Sequence, residues 1–366
     1  MNYRLVEEID RATAARYDAL MERAPNAHFT QHPAWVGVPS ESAGRWLVFL
    51  GEQAGDLKVA GLVRVRRAPV VGCSLLDLFR GPVAESPADL FEGLAALKDL
   101  AAATRPLAIR IDPYWSGPDQ REVADGLSRL GYAPSSDPLW SSRSLEIPID
   151  RDSEEMLRTF SSDARSNVRK GLRFQIQVKE DAGEACLATL ESLYSQMAAT
   201  REANPRPAGF FRGIGEMCRA WPRRGMVLSS WLEGEALGAI VVFTLGRRAI
   251  YAYGASSAGK PKVPKSHLLQ YTAMQRARDR GCLVYDMGGF GAGAGEKGGQ
   301  TRVQRINYFK SGFGGREIDF VPAHELILRP VLYRALRSIN RIRSRGSGGP
   351  SPGGGEREES GKDDAA

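Results

Sequence analysis

Few side chains in this sequence form a set able to do chemistry. Four cysteines (Cys73, Cys186, Cys218, Cys282) make no Cys-x-x-Cys pair, and four histidines (His28, His32, His267, His324) are scattered. Neither pattern suits a metal site, and no Ser/His/Asp or Cys/His arrangement stands out. His267, beside Leu268 and Leu269 in a helical stretch, reads as a packed or surface residue. What remains are cations, tyrosines and an acid before a proline. Lys310, flanked by Phe309 and Gly312, is expected on a strand end with a loop behind it. Tyr251 and Tyr253 alternate with alanines, which puts both on one face of a strand. Arg206, in ANPRPAGFF with Phe210, belongs to the residue type that grips a pyrophosphate or carboxylate with two parallel hydrogen bonds. Asp112 precedes Pro113, an arrangement common at turns.

After Asp286 comes GGFGAGAGEKGG, residues 288–299. It lacks the Gly-x-Gly-x-x-Gly spacing and leads into no apolar helix, which excludes a dinucleotide-binding turn. Asp286 is expected to cap this loop through backbone N–H groups. Lys297, Arg302 and Arg305 lie nearby as cations for phosphates. Arg165, Arg169, Lys170 and Arg173 form a second basic set at helical spacing, suited to RNA or to a solvated face.

The elements that must position these residues occur twice. Residues 46–68 and 228–249 each read as an apolar strand, a polar turn with Gly, and a second strand, closing on Arg-Arg-Ala. Each hairpin is followed by a helix, PADLFEGLAALKDLAAAT or PKSHLLQYTAMQRARDRG, and then by a buried strand with an acid near its end, Asp112 or Asp286. A nearly constant offset relates the two copies, as a duplicated unit requires. The second copy begins with a helix from TFSSDARSNVRKGLRF, a strand FQIQVKED and a further helix. We therefore expect an α/β (α+β) protein of two tandem domains with mixed, mostly antiparallel sheets, in an element order that resembles the GNAT acyltransferase fold by analogy alone. Residues 1–150 form the first domain and 151–335 the second; a basic amphipathic helix then runs to 345. Residues 346–366, rich in Gly, Pro, Ser and charge, are expected to be disordered.

Length and composition agree. The 366 residues suit two domains. A net charge of +7 favours anionic partners, and the tail, with five acids against two bases, is the acidic exception. No apolar run resembles a signal peptide or a membrane span, so a reduced, cytoplasmic protein is expected. The basic helix at 329–345 is of a kind that lies on anionic lipid or on RNA, or that docks on the body with solvated arginines.

Several strings, in order over residues 27–335, resemble the FemABX (Fem-type) peptidoglycan aminoacyltransferases. They are FTQHPAW (29–35), RGPV (80–83), IRIDP (109–113), SSDARSNVRKGLRFQIQV, GAIVVFTLGRRAIYAYGASS, YDMGGF and YFKSGFGG (308–315). The resemblance implies two GNAT-like domains. It implies transfer of an amino acid from aminoacyl-tRNA to an amine of a stem peptide on a UDP- or lipid-linked muramyl peptide. No metal or other cofactor is implied, because the energy lies in the tRNA ester. Such a reaction needs the amine deprotonated and aimed, and the developing oxyanion stabilised.

Carried onto this sequence, the family's pattern makes Lys310 the cation at the reacting carbonyl, with Phe309 beside it. Asp112, Arg206, Phe210 and one or both of Tyr251 and Tyr253 become acceptor-binding residues. The glycine-rich segment becomes a loop over the tRNA end, served by Lys297, Arg302 and Arg305. Two features depart from the pattern: no long coiled-coil arm fits between Gly183 and Gly225, and WVGVPSES has Pro39 where some members carry a basic residue. Contact at the inner membrane face follows if the acceptor is lipid-linked. Two alternatives stay open: an acyl-CoA-dependent GNAT N-acyltransferase acting on a cell-envelope sugar or polysaccharide, and a Fem-like amide-forming enzyme of peptide antibiotic synthesis. Against the first, SSAGKPKVPKSH lacks the usual pyrophosphate loop before the central helix.

Overall fold

A computed structural model describes residues 1–40, 44–68, 72–137, 139–181, 184–200, 203–259, 262–291 and 301–347. In chain order the first half contains β1 (Asn2–Val6), α1 (Arg11–Arg23), β2 (Arg45–Gln53), β3 (Asp56–Arg67), β4 (Ser74–Leu78), β5 (Val83–Ala84), α2 (Pro87–Leu100), β6 (Pro106–Ile111), α3 (Asp119–Arg129) and β7 (Ala133–Pro134). Next come β8 (Arg143–Pro148), α4 (Ser153–Thr159), α5 (Ser162–Arg173), β9 (Gln177–Glu180), α6 (Glu184–Ala199) and α7 (Phe210–Ala220). The chain continues through β10 (Gly225–Leu232), β11 (Glu235–Leu245), β12 (Arg248–Ser256), α8 (His267–Asp279), β13 (Val284–Gly289) and α9 (Arg302–Ser311). It closes with β14 (Arg316–Asp319), β15 (His324–Ile327) and α10 (Pro330–Ser347).

The duplication is real in three dimensions. One sheet runs β1-β2-β3-β4-β6-β15-β7, with β5 also on β3; the other runs β9-β10-β11-β12-β13-β8-β14. In each, antiparallel strands lead to one parallel pair, β4 with β6 and β12 with β13. Both hairpins turn on two residues of positive φ with Gly second: Ala54 at 52° and Gly55 at 89°, Glu233 at 52° and Gly234 at 82°. That geometry matches the right-handed twist of paired strands.

The sixth strand of each sheet is exchanged. β8 lies at the end of the first half in sequence but pairs with β13 and β14, while β15 returns from the end of the second half to pair with β6 and β7. The expected division at residue 150 therefore falls after a strand that already belongs to the second sheet. The segment assigned to the second domain also closes the first. No local pattern marks such an exchange, because either strand suits either sheet.

A shared core joins the halves. Tyr17, Leu20, Val48, Leu50 and Leu62 from the first half pack in one cluster with Leu187, Ile214, Val227, Val241 and Phe243 from the second. The FTQ string acts here. Phe29 stacks on Phe243 with centroids 4.6 Å apart. The Gln31 side chain donates to the Phe79 carbonyl (2.6 Å) and accepts from the Leu62 amide (3.0 Å), tying the end of β4 to β3. The outer faces carry separate cores under α2 and α3 in one half and under α5 and α8 in the other.

Two helices were not legible as such. α9 spans the region expected to be a strand, so Lys310 stands in the last turn of a helix. Its start carries a full capping box, Thr301 with Gln304. α7 contains Gly213 and Gly215, which weaken a helical reading; a Cβ at Gly213 would lie 2.9 Å from Val38 Cα, so close packing requires glycine there. The expected disorder of the tail concerns residues that, from 348 on, lie outside the described ones. No helix among the described residues is long and apolar enough to cross a membrane.

Candidate active site

The second sheet opens where its parallel strands part. β12 and β13 pair at Arg248↔Val284, Ala249↔Tyr285 and Ile250↔Asp286, and no further. Past that point β12 is bulged: Val242 opposes Tyr251 and Val241 opposes Tyr253, leaving Ala252 extra. β13 turns at Gly288, whose φ is +71°. Between the strands lies a cavity of about 230 Å³, lined by residues 250–254 on one side and Asp286–Gly289 on the other. The first half supplies its floor with His28, Phe29, Arg80 and Tyr114.

The bulge corrects the reading of the tyrosine pair. An extra residue reverses the alternation of faces, so Tyr253 packs in the shared core while Tyr251 packs toward the outer core of the second half. Both still line the cavity, because it opens between the parted strands at this point.

Asp286 holds the opening in shape. Its carboxylate accepts hydrogen bonds from Tyr114 Oη, Ser144 Oγ and the Gly288 amide, the last at 2.8 Å. The expected loop cap is therefore present, and it also bonds to the other half. Arg248 Nη1 lies 3.7 Å from Asp286 Oδ2 and pairs with Glu146. Burial, reinforced by the Asp286 charge, raises the Tyr114 hydroxyl far above its usual pKa, so it stays a donor. Burial alone would weaken the Arg248 charge, but Tyr114, Asp286 and Glu146 outweigh it and its pKa is raised.

One face of α9 supplies another wall. Arg302, Ile306, Phe309 and Lys310 line the cavity, at the three- and four-residue spacing that shares a helix face. Lys310 is only 6% exposed, and its ammonium donates to the Gly289 carbonyl and, at 3.4 Å, to that of Gly288. Phe309 rests edge-on against His267 (5.1 Å) and Phe313 (5.2 Å). His267 is thus a packing residue, and its desolvation pushes its pKa down to about 4. Arg305 points away to solvent. Lys297 lies outside the described residues.

Opposite stands Arg206, its guanidinium 5.3 Å from the Phe210 ring, 5.5 Å from Tyr253 and 5.9 Å from Tyr194. Its Nε donates to Tyr194 Oη at 3.3 Å. Phe210 does not line the cavity; it braces this cation from behind. In the basic set on α5, Arg169 and Arg173 are exposed, and Lys170 donates to the Lys262 carbonyl at 2.8 Å.

Asp112 is placed differently from expectation. It is fully buried and does not reach the cavity; Arg80 stands between, with Nη1 3.6 Å from Asp112 Oδ1. Burial outweighs the Arg80 charge and pushes the Asp112 carboxyl up to about 6. Arg80 itself is clamped over the rings of Phe320 (4.7 Å) and Tyr114 (5.1 Å). Sequence reasoning missed both Arg80 and His28. His28 contacts Tyr114 and Trp140 edge-on, and burial, then Arg80 and Arg248, hold it far below the usual histidine range and so neutral. The one available signal was their place in or beside the RGPV and FTQ strings.

Among the described residues, four cations (Arg80, Arg206, Arg302, Lys310) thus line the cavity with one acid, which already has Arg248 beside it. The hydroxyl of Ser144, which also lines the cavity, donates to Asp286. The arrangement suits an anionic ligand and direct attack on a polarised carbonyl.

Residues 156–301 match the acetyltransferase (GNAT) domain family. A lipid II:glycine glycyltransferase from Staphylococcus haemolyticus is 22% identical, over 90% of this chain and 97% of its own length. A crystal structure of FemX superposes with a TM-score of 0.79 at 19% identity, covering 92% of this chain and 99% of that one. The chain is an enzyme whose sequence and fold resemble those of the Fem-type transferases. Its tandem design also matches a two-GNAT protein from the clavulanic acid biosynthesis pathway, with a TM-score of 0.52 at 12% identity over 88% of this chain and 98% of that one. The described residues of the GNAT-matched segment include β12 and β13, the strands that part.

Proposed function

We propose that this enzyme moves an aminoacyl group from aminoacyl-tRNA onto an amine of a peptidoglycan stem peptide. The observation that carries the proposal is the cationic opening between β12 and β13 with Lys310 at its rim. The names of the relatives, lipid II:glycine glycyltransferases, support the acceptor class. The amine attacks the ester carbonyl; the new N–C bond forms as the C–O bond to the ribose breaks. The proton lost by the amine ends on the ribose hydroxyl, so the balance needs no cofactor. Lys310 offsets the oxyanion charge, and Phe309 holds the face of α9 that presents it. Arg302, with Arg305 and Lys297, meets the phosphates of the tRNA end. Arg206, Tyr251 and Tyr253 bind the muramyl peptide, with Phe210 as the brace of Arg206. Asp112 acts from behind, by setting Arg80 in the cavity wall. With a lipid-linked acceptor, the work takes place at the cytoplasmic face of the inner membrane.

Transfer of labelled amino acids from a total charged tRNA pool to a nucleotide-linked muramyl pentapeptide, with an RNase-treated control, tests the proposal. RNase-sensitive label on the pentapeptide is expected. The GNAT match favours one second reading, acyl-CoA-dependent N-acylation. Turnover with acetyl-CoA and an amine, without tRNA-dependent label on either the nucleotide- or the lipid-linked acceptor, would replace the first reading with the second.

A further inference from the structure

The C-terminal helix is held on one side and bare on the other. Tyr333 and Leu336, both nearly fully buried, pack on Ala68, Cys73, Leu75, Leu107 and Ala108. Tyr333 Oη donates to Glu325 Oε2 at 2.6 Å, and Arg337 lies 3.3 Å from Glu325 Oε1. These contacts fix the rotation of α10. They leave Val331 79% exposed, Ile339 41% and Leu332 37%. Ile327, 39% exposed, stands two residues after Glu325 in β15, on the same side of the sheet.

Exposed cations accompany this apolar strip on the helix and near the cluster it packs on. Arg329 and Arg334 are exposed on and before the helix. Arg67 and Arg105 are exposed beside Ala68 and Pro106, at the edge of the same packed cluster. From Leu326 to Ser347 the sequence holds six arginines and no acid. We propose that this face docks the protein on an anionic bilayer, with the aliphatic side chains in the acyl boundary and the arginines on the lipid phosphates. An RNA backbone would take the arginines but gain nothing from exposed valine and isoleucine, whereas a membrane interface takes both. Its use in catalysis rests on the proposed lipid-linked acceptor; the binding itself does not.

Flotation of the full-length chain with vesicles tests it. The wild type is expected to rise with phosphatidylglycerol–phosphatidylethanolamine vesicles and to stay behind with phosphatidylcholine vesicles. Val331→Asp with Ile339→Asp should abolish flotation without lowering the melting temperature, since both sites are exposed. Arg334→Ala should weaken binding about fivefold, the effect of one arginine at such a surface. Wild-type protein that ignores anionic vesicles, or a double variant that floats as well as wild type, would overturn the proposal. So would a double variant that floats normally while Arg334→Glu loses only tRNA binding; that outcome assigns the face to RNA. Transfer to the soluble, nucleotide-linked acceptor should be unchanged in the double variant, while transfer to vesicle-borne acceptor falls. If neither acceptor is used yet the wild type floats, the proposed reaction fails and the docking face stands.

Discussion

The two halves share strand order, hairpin turns and a parallel strand pair, yet they end that pair differently. In the first half β4 and β6 shift register once, between Ser74 and Leu75, and then stay paired from Leu75↔Ala108 to their ends at Leu78↔Ile111, where the Asp112 amide adds a further bond to the Leu78 carbonyl at 3.1 Å. The chain then folds Arg80 back over the strand ends. In the second half β12 and β13 separate after three pairs, and Asp286, hydrogen-bonded by Ser144 of β8 and by Tyr114 of the first half, lines the opening instead of lying buried behind it. Duplication supplied one frame twice. Bulging one strand and turning the next opened one copy, while a buried ion pair closed the other.

Substitution of the two acids breaks this comparison most directly. Asp286→Ala leaves the buried Tyr114 and Ser144 hydroxyls without their shared acceptor and Arg248 with Glu146 alone. It should cost about 3–5 kcal/mol of stability, the range for breaking a buried charge pair; chemical denaturation measures it. A loss under about 1 kcal/mol would mean that the carboxylate does not brace the opening. Lys310→Ala, folded normally, should lower kcat for transfer about 10²–10³-fold, as loss of one oxyanion donor does. Equal loss on replacing Arg80 alone would move the chemistry toward the first half.

The closed half predicts a pH signature. Asp112 has a folded-state pKa raised to about 6, above its unfolded value of about 4. Its neutral form is therefore favoured by folding. The stability it adds is fully present below about pH 4 and is lost as pH rises through about 6. The change amounts to about 3 kcal/mol at most. Asp112→Asn should flatten the unfolding free energy across that window, and an unchanged slope would remove Asp112 as its source. The smallest effects test the sameness of the halves. Gly55→Ala and Gly234→Ala each place a side chain at positive φ and should cost about 1 kcal/mol apiece. A large inequality between them would show that one hairpin carries more of the shared core than the other.

Much of the fold was legible because repeated local patterns were: apolar hairpins, the Gly-closed turns and the helices that follow them. The site was legible in part. Lys310, Phe309, Tyr251, Tyr253, Arg206 and Arg302 converge on one cavity, whereas Phe210, Asp112 and Arg305 stand behind or away from it. The misplacements share a cause. A bulge of one residue moves a tyrosine to the other face, and one turn of helix redirects a lysine. Neither event leaves a clear mark in a pattern of period two.

By itself the sequence determined the two copies, their helices and hairpins, and the basic character of the chain. These follow from hydrophobic periodicity and residue chemistry, which act over a few neighbours. Only the tertiary structure decided that β8 and β15 change places, that Tyr114 reaches across to Asp286, that Arg80 screens Asp112, and that one parallel pair opens while the other closes. Those outcomes depend on bonds between residues far apart in sequence, such as Tyr114 with Asp286. Burial sets the strength of such bonds, and no local stretch of sequence encodes it.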